Sequence, residues 1–411
     1  ELQLGNAVDG WNRDAAASTM REMREDTSVH RLIPIDAQLV GGLLAASSAA
    51  SQRRIAISTR RQDRSNWKYW CLALKALFVD PEPIRTDTEA ITGVDAKGHR
   101  REVSLVKVIF MYWCVTLPQF KPQSMLQRLR GVSRVHKKAL GIPFVSLAPV
   151  VDCSTGVIRE HVDEHGPESL LDRRREPLQN WMLNRWMCLP NDTKVGEYTV
   201  GNNVQWQGVR VWIAYAATTG GRKADMALDD GVTFGKKHLS MAHACWEFDG
   251  VRTDAPTAEQ LDEINMNNRT FVHMSPVPCK NDFDGRRWAE SPVSSRYSAT
   301  APVNLARELA KYERMRAVAP EKRRETPLLL NAKGVPWRKS RMASFFNVLL
   351  LLIMPAETAA NYTVHSFRIY LACALYAIKT PSETIKRMLR WASDEALQIY
   401  ARMNVGDVAD L

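Results

Sequence analysis

The sequence is short of paired cysteines, of long apolar runs and of acidic residues. Its seven cysteines (71, 114, 153, 188, 245, 279 and 373) are odd in number, scattered, and form no CxxC pair. That argues against a disulfide framework or a zinc site and for a reducing compartment. The longest apolar run, "FFNVLLLLIM" at 345–354, contains Asn347 and is far too short to span a bilayer, so no membrane partner is expected. No signal peptide is recognisable, and a chain that starts at Glu1 reads as a fragment or a processed product. The expected location is intracellular, nuclear in a eukaryote and otherwise cytoplasmic. No internal repeat is visible.

What the chain has in excess is positive charge. Across 411 residues, 56 Lys and Arg stand against 45 Asp and Glu, giving a net charge of +11 and a pI of about 9.3. Such a surplus favours a polyanionic partner, nucleic acid before membrane. The length suits two or three domains, each with its own core. Residues 1–64 read as a polar N-terminal extension. It carries "LLAASSAAS" and then an arginine cluster, "QRRIAISTRRQDR", which is either a solvated linker or a DNA-backbone contact.

From Ser65, a plausible N-cap, "SNWKYWCLALKALF" places Trp67, Trp70, Cys71, Leu74 and Leu77 on one helical face. "LVKVIFMYWCVTL" and "KPQSMLQRLRGVSRVHKKALGI" follow as helices, the second carrying Arg128, Arg130, Arg134, Lys137 and Lys138. Residues 65–150 therefore read as an all-helical domain whose basic face is either solvated or in contact with phosphates. Residues 151–176 lose apolar periodicity and end in Arg173, Arg174 and Arg175, a linker pattern. A second domain, 177–411, opens with helices. Strand-like segments follow at "HACWEF", "RTFVHMSPVP" and "RRWAESPV", around a polar insert, and helices return from residue 340 onward. The expected class is mainly α with a small antiparallel sheet, α+β.

Several scattered groups make chemical sense together. Arg222 follows a Gly220-Gly221 turn, Lys280 sits between two candidate strands, and His365 and Arg368 share a helical face. Tyr400 lies near the end of the sequence, after a basic helix. Taken singly, each has an ordinary structural explanation. Two arginines can grip the nonbridging oxygens of a phosphodiester and stabilise charge developing at phosphorus. A lysine can protonate a leaving alkoxide, and a histidine can take a tyrosine proton. A tyrosine hydroxyl, with an ordinary pKa of about 10, needs such a cationic site to act as a nucleophile. The set includes no carboxylate cluster suited to two metal ions, so no metal or other cofactor is expected.

The order and spacing of these boxes resemble the tyrosine recombinase family, the phage-integrase and Cre-like enzymes, with some likeness to recombinases of eukaryotic mobile elements. "TGGRKADMAL" is similar to the first-arginine box, with Asp225 at its acidic position. Lys280 matches the β-hairpin lysine and "HSFR" the His-x-x-Arg box. "LRWASDEALQIYARM" matches the terminal box, with Trp391 nine residues before Tyr400. The resemblance covers residues 65–405. It departs in the "TGG" approach, in the long stretch from Arg222 to His365 with its insert at 251–268, and in the eleven residues left after Tyr400.

The resemblance implies a helical core-binding domain and a catalytic domain forming a C-shaped clamp on double-stranded DNA, active as a tetrameric synapse. It implies site-specific cleavage and rejoining through a 3′-phosphotyrosine on Tyr400. Arg222 and Arg368 would clamp the phosphate, Lys280 would act as general acid, and His365 would assist proton transfer. Trp391 would hydrogen-bond the phosphate or simply pack, and Asp225 would orient an arginine or cap a helix. Two alternatives use the same residues: relaxation of DNA in the manner of a type IB topoisomerase, and a catalytically silent DNA-binding protein derived from a recombinase.

Overall fold

The structure is a computed structural model. It describes residues 57–81, 90–117, 120–140, 148–170, 175–264, 269–279, 282, 284–394 and 397. The chain divides into two compact units, Glu1–Asp172 and Arg173–Leu411.

In the first unit, α1 (Ile57–Lys75) buries Trp67, Trp70 and Leu74. It starts eight residues before Ser65, so that serine lies inside the helix. The Arg and Gln residues ahead of it favour helix and extend the pattern N-terminally. The unit is not all helical. Strands β1 (Asp80–Pro81), β2 (Ala90–Val94) and β3 (Arg100–Ser104) form an antiparallel sheet in that order. The β2–β3 turn is built by local chemistry. The Asp95 carboxylate accepts the N–H groups of Lys97 (2.8 Å) and His99 (3.0 Å), and Gly98 takes the left-handed conformation at φ 80°.

Helices α2 (Leu105–Thr116) and α3 (Met125–Leu140) complete a core around Trp70, Ile109, Tyr112, Trp113 and Leu129. Gly131 of α3 is pressed against α1. A Cβ there would stand 2.4 Å from Asn66 Nδ2 and 2.9 Å from Asp63 Oδ1. Residues 151–165, expected in a linker, belong to α4 (Ala148–His165), packed on α2 and α3 through Val157 and Ile158. Its apolar stripe is short and broken by Asp152, Glu160 and Asp163, which hid the helical period.

The second unit is built round α6 (Val204–Thr219), preceded by α5 (Asn180–Met187) and a small ribbon, β4 (Lys194–Val195) with β5 (Tyr198–Thr199). Asn203 caps α6 by accepting the Trp206 N–H at 2.8 Å. Trp206, Val209, Trp212, Ile213 and Ala216 are all buried, so α6 is the axis of the core. A short α7 (Lys223–Met226) follows directly. The antiparallel sheet runs in the order β7 (Val251–Thr253), β6 (Ala244–Phe248), β8 (Phe271–Met274), β9 (Val293–Arg296). The polar insert holds β7 and α8 (Ala258–Glu263).

The expected strand at "RRWAESPV" starts only at its end, Val293. The buried Asp282 carboxylate draws in the N–H groups of Arg287 (3.1 Å) and Trp288 (3.2 Å) and folds that segment as a turn. Helix α9 (Leu305–Met315), unforeseen from the sequence, packs along α6. Helices α10 (Lys339–Leu351), α11 (Ala356–Ala359), α12 (Ser366–Ala377) and α13 (Ser382–Leu389) close the unit.

Buried ion pairs lock α9 in place. Glu308, fully buried, accepts from Gln207 (3.0 Å) and Arg210 (2.8 Å) of α6 and from Arg307 (2.9 Å). Glu313 accepts from Trp246 Nε1 (3.0 Å) of β6 and pairs with Arg323 at 2.6 Å. Because Arg323 and Glu313 are both buried, removing one partner leaves the other charge stranded. Arg323→Met should lower the stability of the second unit by about 3–5 kcal/mol, read as a fall in the urea midpoint. Adding Glu313→Gln should recover part of it.

Candidate functional site

Helix α6 ends at Gly220, which adopts φ 57°, ψ 29° and hands the chain to Arg222. No larger residue fits: a Cβ on Gly220 would stand 2.5 Å from Leu389 Cδ2 and 3.2 Å from Leu371 Cδ2. Gly220 of the "TGG" approach therefore answers both to its left-handed backbone and to the packing of Leu389 and Leu371. Arg222 then starts α7, and the Asp225 carboxylate accepts the Arg222 N–H at 2.8 Å, closing the turn. The Arg222 side chain is partly buried, and its Nη1 has no hydrogen-bond partner among the described residues.

His365 caps α12, its carbonyl accepting the Arg368 N–H at 2.9 Å. One turn on, Arg368 is 1% exposed. Its Nη1 donates to Gly220 O at 2.9 Å and its Nη2 donates to Leu389 O. Both acceptors are carbonyls at helix C-termini, of α6 and α13, which have no partner inside their own helices. The arginine expected to face the phosphate therefore also fastens two helix ends. Its guanidinium lies 5.4 Å from the centre of the Trp391 ring. Trp391 is buried against Leu371, Ile385 and Leu389, so the packing role expected as one option is present.

The histidine ring is the electrostatic centre of the group. His365 lies at the surface, yet its pKa is lowered from 6.5. Partial loss of hydration contributes most, followed by the positive charges of Arg368 and Arg222. The ring is thus neutral at pH 7, the form that accepts a proton. That influence also places Arg222, His365 and Arg368 in one neighbourhood. Trp391, which lies against Arg368, also borders an open cavity of about 400 Å³ lined by Arg287, Trp288, Glu383, Lys386 and Arg387.

The Asp225 carboxylate has two partners. The oxygen that caps α7 also accepts from Arg390 Nη2 at 2.5 Å. Arg390 was not anticipated as part of the site. It follows α13 directly and is buried; the one available signal was an arginine, rather than glycine or asparagine, where α13 has to stop.

Lys280 and Tyr400 lie outside the described residues. The residues flanking Lys280 and Asn281 do pair, Cys279 and Asp282 exchanging backbone hydrogen bonds at 2.8 and 3.0 Å.

The cations assigned to DNA separate into two sets. Arg128 donates to Asn66 Oδ1 at 3.0 Å and stacks over Phe120 at 3.3 Å, and Arg134 pairs with Asp63 at 3.0 Å. Both partners flank the Gly131 contact, so these two arginines tie α3 to α1. Arg130 and Lys137 are exposed. In the second unit, Arg175 donates to Ala360 O at 2.5 Å. Arg173, Arg174 and the Lys138 side chain lie outside the described residues.

An unpartnered buried guanidinium nitrogen, a second arginine and a neutral histidine make a site for an anionic, oxygen-rich group. No protein-family profile matches the chain, and no curated protein matches it. Among solved structures it is similar to XerA recombinase, with 11% sequence identity and a TM-score of 0.33, over 74% of this chain and 87% of that one. It is also similar to the Tn1549 transposon integrase in complex with transposon right-end DNA, with 10% identity and a TM-score of 0.38, over 74% of this chain and 82% of that one.

An NMR titration of the His365 ring should give a pKa below 6.5, and Arg222→Met should move it upward by removing one repelling charge. An unshifted value would separate the two side chains. Any activity that needs the neutral ring should hold through pH 7 and fall only as the pH drops below about 6.5.

Proposed function

We propose that this chain is a tyrosine recombinase that breaks and rejoins double-stranded DNA. The observation that carries the reading is Arg222 Nη1, buried without an acceptor beside Arg368 and a neutral His365. A buried donor left unmade costs about 1–3 kcal/mol, a cost removed when a phosphate oxygen accepts from it. Arg222 holds one nonbridging oxygen, while the Arg368 charge, fixed by Gly220 O and Leu389 O, stabilises the charge that grows on phosphorus.

The Tyr400 oxygen attacks phosphorus as its proton passes to the neutral His365 ring. The bond from phosphorus to the 5′-oxygen breaks, and Lys280 gives that oxygen a proton. The products are a 3′-phosphotyrosine and a free 5′-hydroxyl; a second 5′-hydroxyl reverses the step and rejoins the strand. The cavity bordered by Trp391 carries Arg287 and Arg387 for the adjoining backbone, while Lys386 there is paired with Glu383 and Asp394. Exchange between two duplexes calls for a tetramer on DNA.

The test is covalent trapping on a nicked substrate that loses its 5′-hydroxyl fragment. The unmutated protein should give an adduct that survives denaturation and forms in EDTA. Tyr400→Phe should give none while binding DNA with nearly unchanged affinity. Arg222→Ala should slow adduct formation by roughly 100-fold or more. Relaxation of a plasmid of arbitrary sequence would instead favour topoisomerase action, and binding with no adduct would favour a silent DNA-binding protein.

Salt dependence separates the two sets of cations. Replacing Arg130 and Lys137 with Gln should flatten the slope of log affinity against log salt by about two, one for each phosphate no longer neutralised. An unchanged slope would leave both residues as solvated surface.

A further inference from the structure

We propose that Arg390 is a positioning residue that holds three catalytic segments in register through one buried guanidinium. Its Nη2 donates to Asp225 Oδ2 at 2.5 Å, and that same oxygen accepts the Arg222 N–H at 2.8 Å. Its Nη1 donates to Val277 O at 3.3 Å, three residues before Lys280. Its own carbonyl carbon carries the peptide bond to Trp391. The Arg222 turn, the root of the Lys280 segment and the Trp391 box thus meet on one side chain. This inference rests on the proposed cleavage by Tyr400, which gives Lys280 a proton to deliver.

The backbone supports the assignment independently. Arg390 sits at φ 52°, ψ 49°, the left-handed conformation, as the residue that stops α13. The turn is closed by the Arg390 N–H on Arg387 O (3.2 Å) and the Trp391 N–H on Lys386 O (2.9 Å). Glycine takes this conformation freely, whereas a side chain with a Cβ is disfavoured in it. An arginine kept there, 6% exposed and paired with an Asp that is 5% exposed, is held by its guanidinium contacts. The carbonyl just before it, Leu389 O, receives Arg368, so the same turn also presents the acceptor for the second catalytic arginine.

Arg390→Gly tests this, because glycine suits the left-handed backbone while the guanidinium contacts are lost. The expected result is a lowered melting temperature, since Asp225 loses its buried partner, with unchanged DNA affinity of the folded protein and single-turnover cleavage slower by about 100-fold, the scale of a small misplacement. The loss should shrink on DNA whose bridging 5′-oxygen is sulfur, because a thiolate leaves without the proton that a displaced Lys280 fails to deliver. Arg390→Lys, which keeps the charge but not the two-pronged reach, should show the same pattern and serves if the glycine variant does not fold. Combining Arg390→Gly with Asp225→Asn should cost less than the sum of the two single changes. Cleavage by Arg390→Gly at the unmutated rate, or equal losses on both substrates, would overturn the proposal alone. Absence of any adduct with the unmutated protein would overturn the recombinase reading and this inference with it.

Discussion

A guanidinium cannot be kept dry without acceptors, and in the second unit the acceptors for Arg368 are the exposed ends of two helices. The last carbonyls of an α-helix have no partner within it and carry the negative end of its dipole. Gly220 O closes α6 and Leu389 O closes α13, and both point at Arg368. A single buried cation thereby satisfies two helix termini and fixes the distance between the α6 turn that carries Arg222 and the α13 end that carries Trp391. Most of what surrounds the site follows from that pairing. Gly220 must lack a side chain, Leu389 must fill the space above it, and the chain must turn sharply after each helix.

The second constraint is carboxylate supply. The buried acids described in this unit are few, and several are shared. Asp225 serves a backbone N–H and Arg390, Glu308 serves Gln207, Arg210 and Arg307, and Glu313 serves Trp246 and Arg323. Arg222 stands outside this sharing, with Nη1 unpartnered among the described residues.

Much of this was legible in the sequence. The apolar face of α1 marked that helix, and the first-arginine and His-x-x-Arg boxes named Arg222, His365 and Arg368, which lie in one neighbourhood. What escaped has physical reasons. Helix α4 has an interrupted apolar stripe, and α9 buries charged residues that read as solvent-facing until Arg210 and Arg323 are placed against them. The "RRWAESPV" segment has strand-like composition, but Asp282 captures its N–H groups before a ladder forms. Arg390 escaped because its importance lies in a backbone conformation and two distant acceptors, neither of which leaves a periodic trace. The basic face of α3 misled in part, since local composition does not reveal that Asp63 and Asn66 of α1 are waiting for two of its arginines.

The missing side chain at Gly220 has a consequence for how this sequence can drift. The 2.5 Å that would separate a Cβ there from Leu389 makes the two positions a single unit of change, although 169 residues of chain separate them. A larger residue at 220 needs Leu389 to give way and still bears the strain of a left-handed backbone at φ 57°, and shrinking 389 first opens a void beneath Trp391 and loosens the carbonyl that holds Arg368. Either first step is harmful alone, so lineages that cross between the two solutions should be rare, and the glycine should travel with its leucine.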